Sequence, residues 1–218
     1  MATIITAGNA TNGLKITPDN TGILELKTGT GAGTTALTLN ASQNATLAGT
    51  LQVAGVTTNI YPIVFSTAVT CAGQTSIDFP SVPSWAKRIT VMFNGVSTSG
   101  TSSYLVQLGD TGGIENTGYA SVASSYANTL ASSTAGYVLT QANVAASTYN
   151  GHVVITNVSG NLWVASSILL PSGGQSGQSS AGNKTLSDTL TQVRITTVNG
   201  TDTFDTTPSA GTINIMWE

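Results

Sequence analysis

Charge is what this sequence has least of. Only 6 of its 218 residues are Lys or Arg and 9 are Asp or Glu, which makes 7% of the chain charged. An ordinary soluble domain has about 25%. The net charge of -3 and the scattered basic residues provide no basic stripe that could release counterions from a nucleic-acid backbone. We therefore expect no nucleic acid among the partners.

Cysteine and histidine occur only once each, as Cys71 and His152. A disulfide within the chain is impossible, and no zinc, haem or iron–sulfur ligand spacing can be written. A lone cysteine is usually a small buried hydrophobe, and His152 has no local catalytic signature around it. The sequence therefore predicts no metal and no other cofactor.

Long apolar runs are also missing. The N-terminus, MATIITAG, has neither a basic region nor a long apolar region of the kind found in signal peptides. No later run approaches the roughly 18 apolar residues of a spanning helix. We expect no membrane span, and synthesis in a cytoplasm without a classical export signal.

Small polar residues are abundant instead. Thr, Ser, Asn and Gly together occupy 101 positions, and these residue types favour strands and turns over helix interiors. Hydrophobic residues make up 40% of the chain, too many for a disordered coil. The composition predicts an ordered, all-β protein.

The aromatic residues divide the chain into two domains. All 13 lie between Tyr61 and Trp217, and residues 1–60 contain none. We therefore place an N-terminal domain at residues 1–60 and a second domain at residues 61–218.

The N-terminal domain has short alternating apolar segments between turns, typical of strands, but it is too small to close a core alone. We therefore predict that residues 1–60 form an anchor and a fibre shaft in which three identical chains intertwine. An alternative is an appendage lying on the larger domain. The predicted core of the trimeric shaft consists of Leu14, Ile16, Leu24, Leu26, Leu37, Leu39, Leu51 and Val53.

The second domain contains nine short strand candidates separated mostly by Gly, Asn, Ser or Pro. This pattern predicts an antiparallel β-sandwich of jelly-roll type. Residues 119–135 are expected to form a long loop or weak strands. The nine strand candidates are residues 63–65, 76–79, 88–93, 104–108, 137–139, 152–156, 162–169, 192–196 and 213–217.

Two acidic loops are candidates for chemistry. Asp110 and Glu115 flank a Gly-Gly turn, and Asp202 and Asp205 lie in a loop that ends at Pro208. Either pair could hold calcium or serve a glycosidase. Calcium-binding loops, however, contain more acidic residues than these loops do. A glycosidase needs two carboxylates about 5–10 Å apart, and the spacing of residues along a loop does not establish such a distance. We favour turn-forming carboxylates and a protein that is not an enzyme.

Three tyrosines, Tyr119, Tyr126 and Tyr149, lie in connections rich in Ser, Gly and Asn. A tyrosine ring supplies contact area, and its hydroxyl supplies a hydrogen bond at low entropic cost. We therefore take these three as candidate receptor-binding residues. The alternative is that they pack over the ends of the sandwich.

Three segments of the second domain carry a resemblance to a known family. They are residues 82–97 (VPSWAKRITVMFNGVS), 104–119 (YLVQLGDTGGIENTGY) and 211–218 (GTINIMWE). They resemble the C-terminal domains of tail-fibre proteins from tailed bacteriophages. The phrases GLKI and AGTLQV in the first domain are similar to the repetitive shafts of the same proteins.

This resemblance implies a homotrimeric virion protein that assembles in the host cytoplasm. Its N-terminal residues would bind other virion proteins, and its head would attach to a host surface glycan or protein. Most tail fibres carry a long particle-attachment domain before the shaft, whereas only about a dozen residues precede the first strand candidate here. Attachment to the tail is the leading expectation. A head fibre or decoration protein on the capsid is the alternative, followed by a depolymerising tailspike.

Overall fold

The computed structural model describes residues 23–29, 33–49, 51–53, 56–58 and 63–218, except 128, 142, 146, 173–175 and 207–209. The chain divides into two compact units, with the boundary after residue 61. Both units are built from antiparallel strands, and the described residues include no helix. Accordingly, no described segment is a helix that could cross a membrane.

The strands are numbered in chain order, β1 to β5 in the N-terminal unit and β6 to β19 in the second unit, which we call the head. They are β1 Leu24–Thr28, β2 Thr34–Leu39, β3 Ala45–Leu47, β4 Leu51–Val53, β5 Val56–Thr58, β6 Val64–Phe65, β7 Val69–Thr70, β8 Ile77–Pro80, β9 Arg88–Val96, β10 Tyr104–Asp110, β11 Gly113–Ile114, β12 Tyr119–Ser125, β13 Leu130–Ser133, β14 Tyr137–Val138, β15 Tyr149–Ser159, β16 Leu162–Pro171, β17 Gln178–Thr185, β18 Gln192–Thr197 and β19 Thr212–Trp217.

The N-terminal unit contains a three-stranded sheet, β1-β2-β3, and a separate hairpin of β4 and β5. In the sheet, Leu26 pairs with Leu37, and Leu37 pairs with Leu47. Leu24 pairs in the same way with Leu39. Because side chains alternate between the faces of a strand, these leucines lie on one face of the sheet.

The predicted shaft-core residues are distributed as follows. Leu24, Leu26, Leu37 and Leu39 belong to this leucine face, and Leu51 and Val53 lie in β4. Leu14 and Ile16 lie outside the described residues.

The head is formed by two antiparallel sheets. The larger has nine strands in the order β13-β12-β17-β16-β15-β9-β19-β6, with β7 also pairing with β19. The smaller has five, in the order β11-β10-β18-β8, with β14 also pairing with β10. The result is a sandwich-like fold in which strands distant in sequence are neighbours, such as β9 beside β15.

One hydrophobic core joins the two sheets. On β9 of the large sheet, Ile89, Val91 and Phe93 are buried and alternate with more exposed residues. They belong to the same core cluster as Val193 and Ile195 on β18 of the small sheet. The period-two pattern therefore defines the inner face of each sheet.

Strand β10 is buried along its whole length. Tyr104, Val106 and Leu108 face the main core, while Leu105 packs with Ala123 and Val138 in a second, smaller cluster. Burial on both faces explains why its first three residues, Tyr104, Leu105 and Val106, are all apolar instead of alternating with polar residues.

The nine predicted head strands all overlap observed strands, while five observed ones, β7, β11, β12, β13 and β17, were not among them. Residues 119–135, for which a long loop or weak strands were expected, contain the strands β12 and β13. Strand β17 was not predicted because its sequence, QSSAGNKT, contains no large apolar residue.

Gly151 allows β15 to lie close to β16. Its φ is +147°, and a Cβ at this position would lie 2.1 Å from the carbonyl oxygen of Ile168. The β9–β15 register also shifts between Tyr149 and Gly151. No larger residue fits here without a backbone shift, because the obstructing atom belongs to the main chain.

Replacing Gly151 with Ala should therefore destabilise the head, by roughly 2–4 kcal/mol. The measurement is the free energy of unfolding in denaturant. Gly160→Ala is the matched control, because Gly160 also has positive φ (+51°) but no atom within 4 Å of the added Cβ. It should cost only about 1–2 kcal/mol. Equal losses in the two variants would contradict the close approach at Gly151.

Candidate functional site

The most accessible of the three candidate tyrosines is Tyr126, which follows β12. Its side chain is 62% exposed, and the neighbouring Leu130 and Leu170 are 69% and 52% exposed. Large apolar side chains exposed together at the end of a sandwich indicate a contact surface more strongly than single ones. The loop end that carries Tyr126 is therefore the candidate functional site.

The Tyr126 ring rests on a glycine. A Cβ at Gly177 would lie 2.5 Å from Cε2 of Tyr126 and 2.7 Å from Cδ2 of Leu170. The backbone N–H of Tyr126 also donates to the carbonyl of Gly177 at 3.0 Å. We call Tyr126, Leu170 and Gly177 the Tyr126 platform. In it, the ring of Tyr126 and the side chain of Leu170 pack against the backbone of Gly177.

Hydrogen bonds between uncharged groups hold the loops beside the platform in place. The hydroxyls of Ser125 and Thr129 are 2.6 Å apart, and the Thr129 hydroxyl donates to Oε1 of Gln141. The backbone N–H of Gln141 donates in turn to Oε1 of Gln178. These bonds connect the β12–β13 turn to the β14–β15 connection and to the start of β17.

No Asp, Glu, Lys or Arg occurs between residues 116 and 183, a range that includes the platform and the loops that surround it. Any partner therefore meets apolar and hydroxyl groups here, and its binding should depend little on salt. This gap in charge is visible in the sequence, but it spans 68 residues and does not by itself single out Leu170 or Gly177.

For Tyr119 and Tyr149, the receptor-contact prediction is wrong. Their side chains are only 3% and 1% exposed and belong to the main core. Tyr149 packs edge-on against Tyr104, with ring centroids 5.3 Å apart. Both tyrosines begin strands, β12 and β15, and their rings point inward, so the alternative that they pack within the sandwich describes them.

The hydroxyl of Tyr119 has partners inside the protein. It accepts the backbone N–H of Leu108 at 2.7 Å and donates to the carbonyl of Glu115 at 3.1 Å. Burial raises the pKa of this phenol above its ordinary range, and the Leu108 hydrogen bond offsets part of that rise. Tyr119 therefore links β10 to β12 as a neutral side chain.

Asp110 and Glu115 are brought together by Ser187. The Ser187 hydroxyl lies 2.6 Å from Oδ2 of Asp110 and 2.8 Å from Oε1 of Glu115. Glu115 also forms an ion pair with the buried Lys184, whose Nζ lies 5.2 Å from the centre of the Tyr119 ring. This cluster connects the β10–β11 turn to β17 and the segment after it.

Both carboxyl groups of the cluster have lowered pKa values. The hydroxyl of Ser187, followed by the backbone N–H of Gly112, lowers the pKa of Asp110. Burial alone would raise the pKa of Glu115, but hydrogen bonds from Lys184 and Ser187 outweigh it. Both groups are therefore held as carboxylates, which is the state a structural ion cluster requires.

Asp202 and Asp205 accept hydrogen bonds from the segment between β9 and β10, and Asp202 also accepts one from its own loop. Asp202 accepts the backbone N–H of Ser102 and the side-chain amide of Asn199, at 2.9 and 2.7 Å. Asp205 accepts the hydroxyl of Ser97 at 2.8 Å. Both carboxylates therefore join the β18–β19 connection to the β9–β10 connection.

Among the residues that the structure describes, no group of three or more His, Cys, Asp or Glu side chains could hold a metal ion. Cys71 is fully buried in the core, and desolvation raises the pKa of its thiol to about 11. His152 is exposed, on the outer face of β15 opposite Ile168. Comparison with protein-family models, curated proteins and solved structures gives no match.

The acidic cluster should make stability depend on pH. Because both folded-state pKa values are lowered, the stabilisation is present above the unfolded values of about 3.9 and 4.3. It is lost as the pH falls through the lower folded values. Glu115→Gln should cost roughly 1–3 kcal/mol at pH 7 and flatten the loss of stability below pH 5, as measured by denaturant unfolding at a series of pH values.

Asp188→Asn is the control, because Asp188 is an exposed carboxylate in the segment that follows β17. Because its side chain is exposed, this substitution should lower the free energy of unfolding at pH 7 by less than Glu115→Gln does. A Glu115→Gln profile identical to that of the unmodified protein would contradict the role of the cluster.

Proposed function

We propose that this chain is a structural, non-enzymatic fibre protein of a tailed bacteriophage, in which the N-terminal unit forms a trimeric shaft and the head attaches to the host surface. The resemblance of residues 82–97, 104–119 and 211–218 to tail fibres motivates the proposal. The observation that carries it is the exposed leucine face of the N-terminal unit.

That face is apolar but has no core of its own. Leu26 and Leu47 are 43% and 46% exposed, and none of the side chains that the structure describes in the N-terminal unit is buried. Burying apolar area contributes about 25 cal/mol per Å², so covering these leucines favours association. Identical chains supply matching leucine faces, which supports an intertwined trimer.

The head would present the Tyr126 platform to a host glycan or protein. An uncharged platform with a single exposed ring binds weakly, and three copies on one fibre raise the effective concentration of the site. We further propose that the head is of jelly-roll type, which the two antiparallel sheets and their non-consecutive strand order support. The N-terminal residues would bind other virion proteins, which places the protein in the virion after assembly in the host cytoplasm.

The full chain should sediment at three times the mass of one chain at micromolar concentration. Leu26→Ser combined with Leu37→Ser should shift it toward monomer, because both substitutions place hydroxyls in the proposed shaft core. Val198→Ser is the control, since Val198 is a 51% exposed apolar residue of the head. An unmodified chain that sediments as a monomer would contradict the shaft.

Tyr126→Ala should reduce adhesion of the fluorescently labelled protein to host cells by about tenfold, which corresponds to about 1.4 kcal/mol in the overall free energy of binding. Because the ring is exposed, the free energy of unfolding should change by less than about 0.5 kcal/mol. Phe65→Ala is the matched control, an aromatic residue that is 60% exposed on a different strand. Unchanged adhesion of Tyr126→Ala would remove the platform from the proposal.

Antibody labelling of intact virions tests the location. Gold particles on the tail support the tail fibre, whereas gold over the capsid shell supports the head-fibre alternative. Virions without label would contradict both placements.

A further inference from the structure

A second candidate site lies at the other end of β16 from the Tyr126 platform. A cavity of about 270 Å³ opens there between the start of β9, the β15–β16 turn and the segment before β18. Its lining includes Lys87, Asn161, Trp163 and Thr189. This volume is just below the usual range of small-molecule pockets, so it suits a ligand the size of a single sugar or smaller.

Trp163, one of the lining residues, carries an unused hydrogen-bond donor. The residue is 4% exposed, and its buried indole nitrogen has no hydrogen-bond partner among the described residues. An indole N–H can only donate, and a buried donor without an acceptor costs free energy. An acceptor atom delivered by a ligand beside this ring would remove that cost.

Lys87 provides an unused positive charge at the same cavity. The other three cations of the head are paired, Arg88 with Glu218, Lys184 with Glu115 and Arg194 with Asp78. Lys87 is exposed and forms no ion pair with a described residue. Lys87 and Trp163 line the same cavity, so an anionic group held by Lys87 lies close to the Trp163 residue.

The remaining polar groups of the lining are uncharged. The side chains of Ser84, Asn161 and Thr189 form no hydrogen bond with a described residue, and no Asp or Glu lines the cavity. They are therefore available to the hydroxyl groups of a ligand.

We propose that this cavity binds a small hydroxylated carboxylate. The carboxylate would pair with the ammonium of Lys87 and accept the indole N–H of Trp163, while the ligand's hydroxyls would bind Ser84, Asn161 and Thr189. One unpaired cation balances the single negative charge of a carboxylate, which favours it over a phosphate dianion. This proposal is independent of the fibre function, because it concerns only groups of the head and a soluble ligand.

The test is titration of the full chain, labelled with ¹⁵N, with D-glucuronate, and with D-glucose as the uncharged counterpart. The sequence contains three tryptophans, so the indole region of the spectrum is simple, and the signal lost in Trp163→Phe identifies Trp163. Glucuronate should shift this signal in a saturable manner, and glucose should not.

Lys87→Met should weaken glucuronate binding at least tenfold, and Lys87→Arg should retain it within about threefold. Lys27→Met is the control for general loss of charge, since Lys27 lies in the N-terminal unit and is paired with Glu25. The proposal is overturned by an unmoved Trp163 signal, by equal shifts with glucose, or by unchanged affinity in Lys87→Met. Tighter binding of inorganic phosphate than of glucuronate would overturn the assignment to a carboxylate.

Discussion

The head depends on one interaction, the burial of alternating apolar side chains between its two sheets. Ile89 and Val91 on β9, Val153 on β15 and Val193 on β18 are all completely buried in the same core. Since the protein has so little charge, this burial is the main favourable term available to the fold. The strand order follows from it, because each strand must present its apolar face to the opposite sheet.

The same core explains how a sequence rich in small polar residues remains specific. Most buried polar groups of folded proteins are hydrogen-bonded, and three such groups here bond across the fold. The Tyr104 hydroxyl donates to the carbonyl of Val96, and the Tyr137 hydroxyl donates to that of Trp163. The hydroxyl of Ser121 accepts the backbone N–H of Val138. These bonds fix the pairing of strands that apolar contacts alone would leave less specific.

The strands that were not predicted show what the hydrophobic periodicity of a sequence cannot detect. Strand β17 carries Gln178 and Lys184 on its buried side, where a strand pattern requires apolar residues. Each is stabilised by a distant partner, Gln178 by the backbone of Gln141 and Lys184 by Glu115. The Tyr126 platform likewise combines the end of β12 with Gly177, 51 positions later, which no local pattern brings together.

The sequence by itself determined the all-β class, the nine predicted strands of the head and the lack of charge around Tyr126, because these depend on local composition and spacing. Only the tertiary structure decided which tyrosines are accessible. Tyr119, Tyr126 and Tyr149 have similar small polar neighbours in sequence, yet only Tyr126 is exposed. Tyr119 and Tyr149 begin strands that aim their rings into the core, whereas Tyr126 follows the last residue of β12. Accessibility depends on what covers a ring, and that is set by strands far away in the chain.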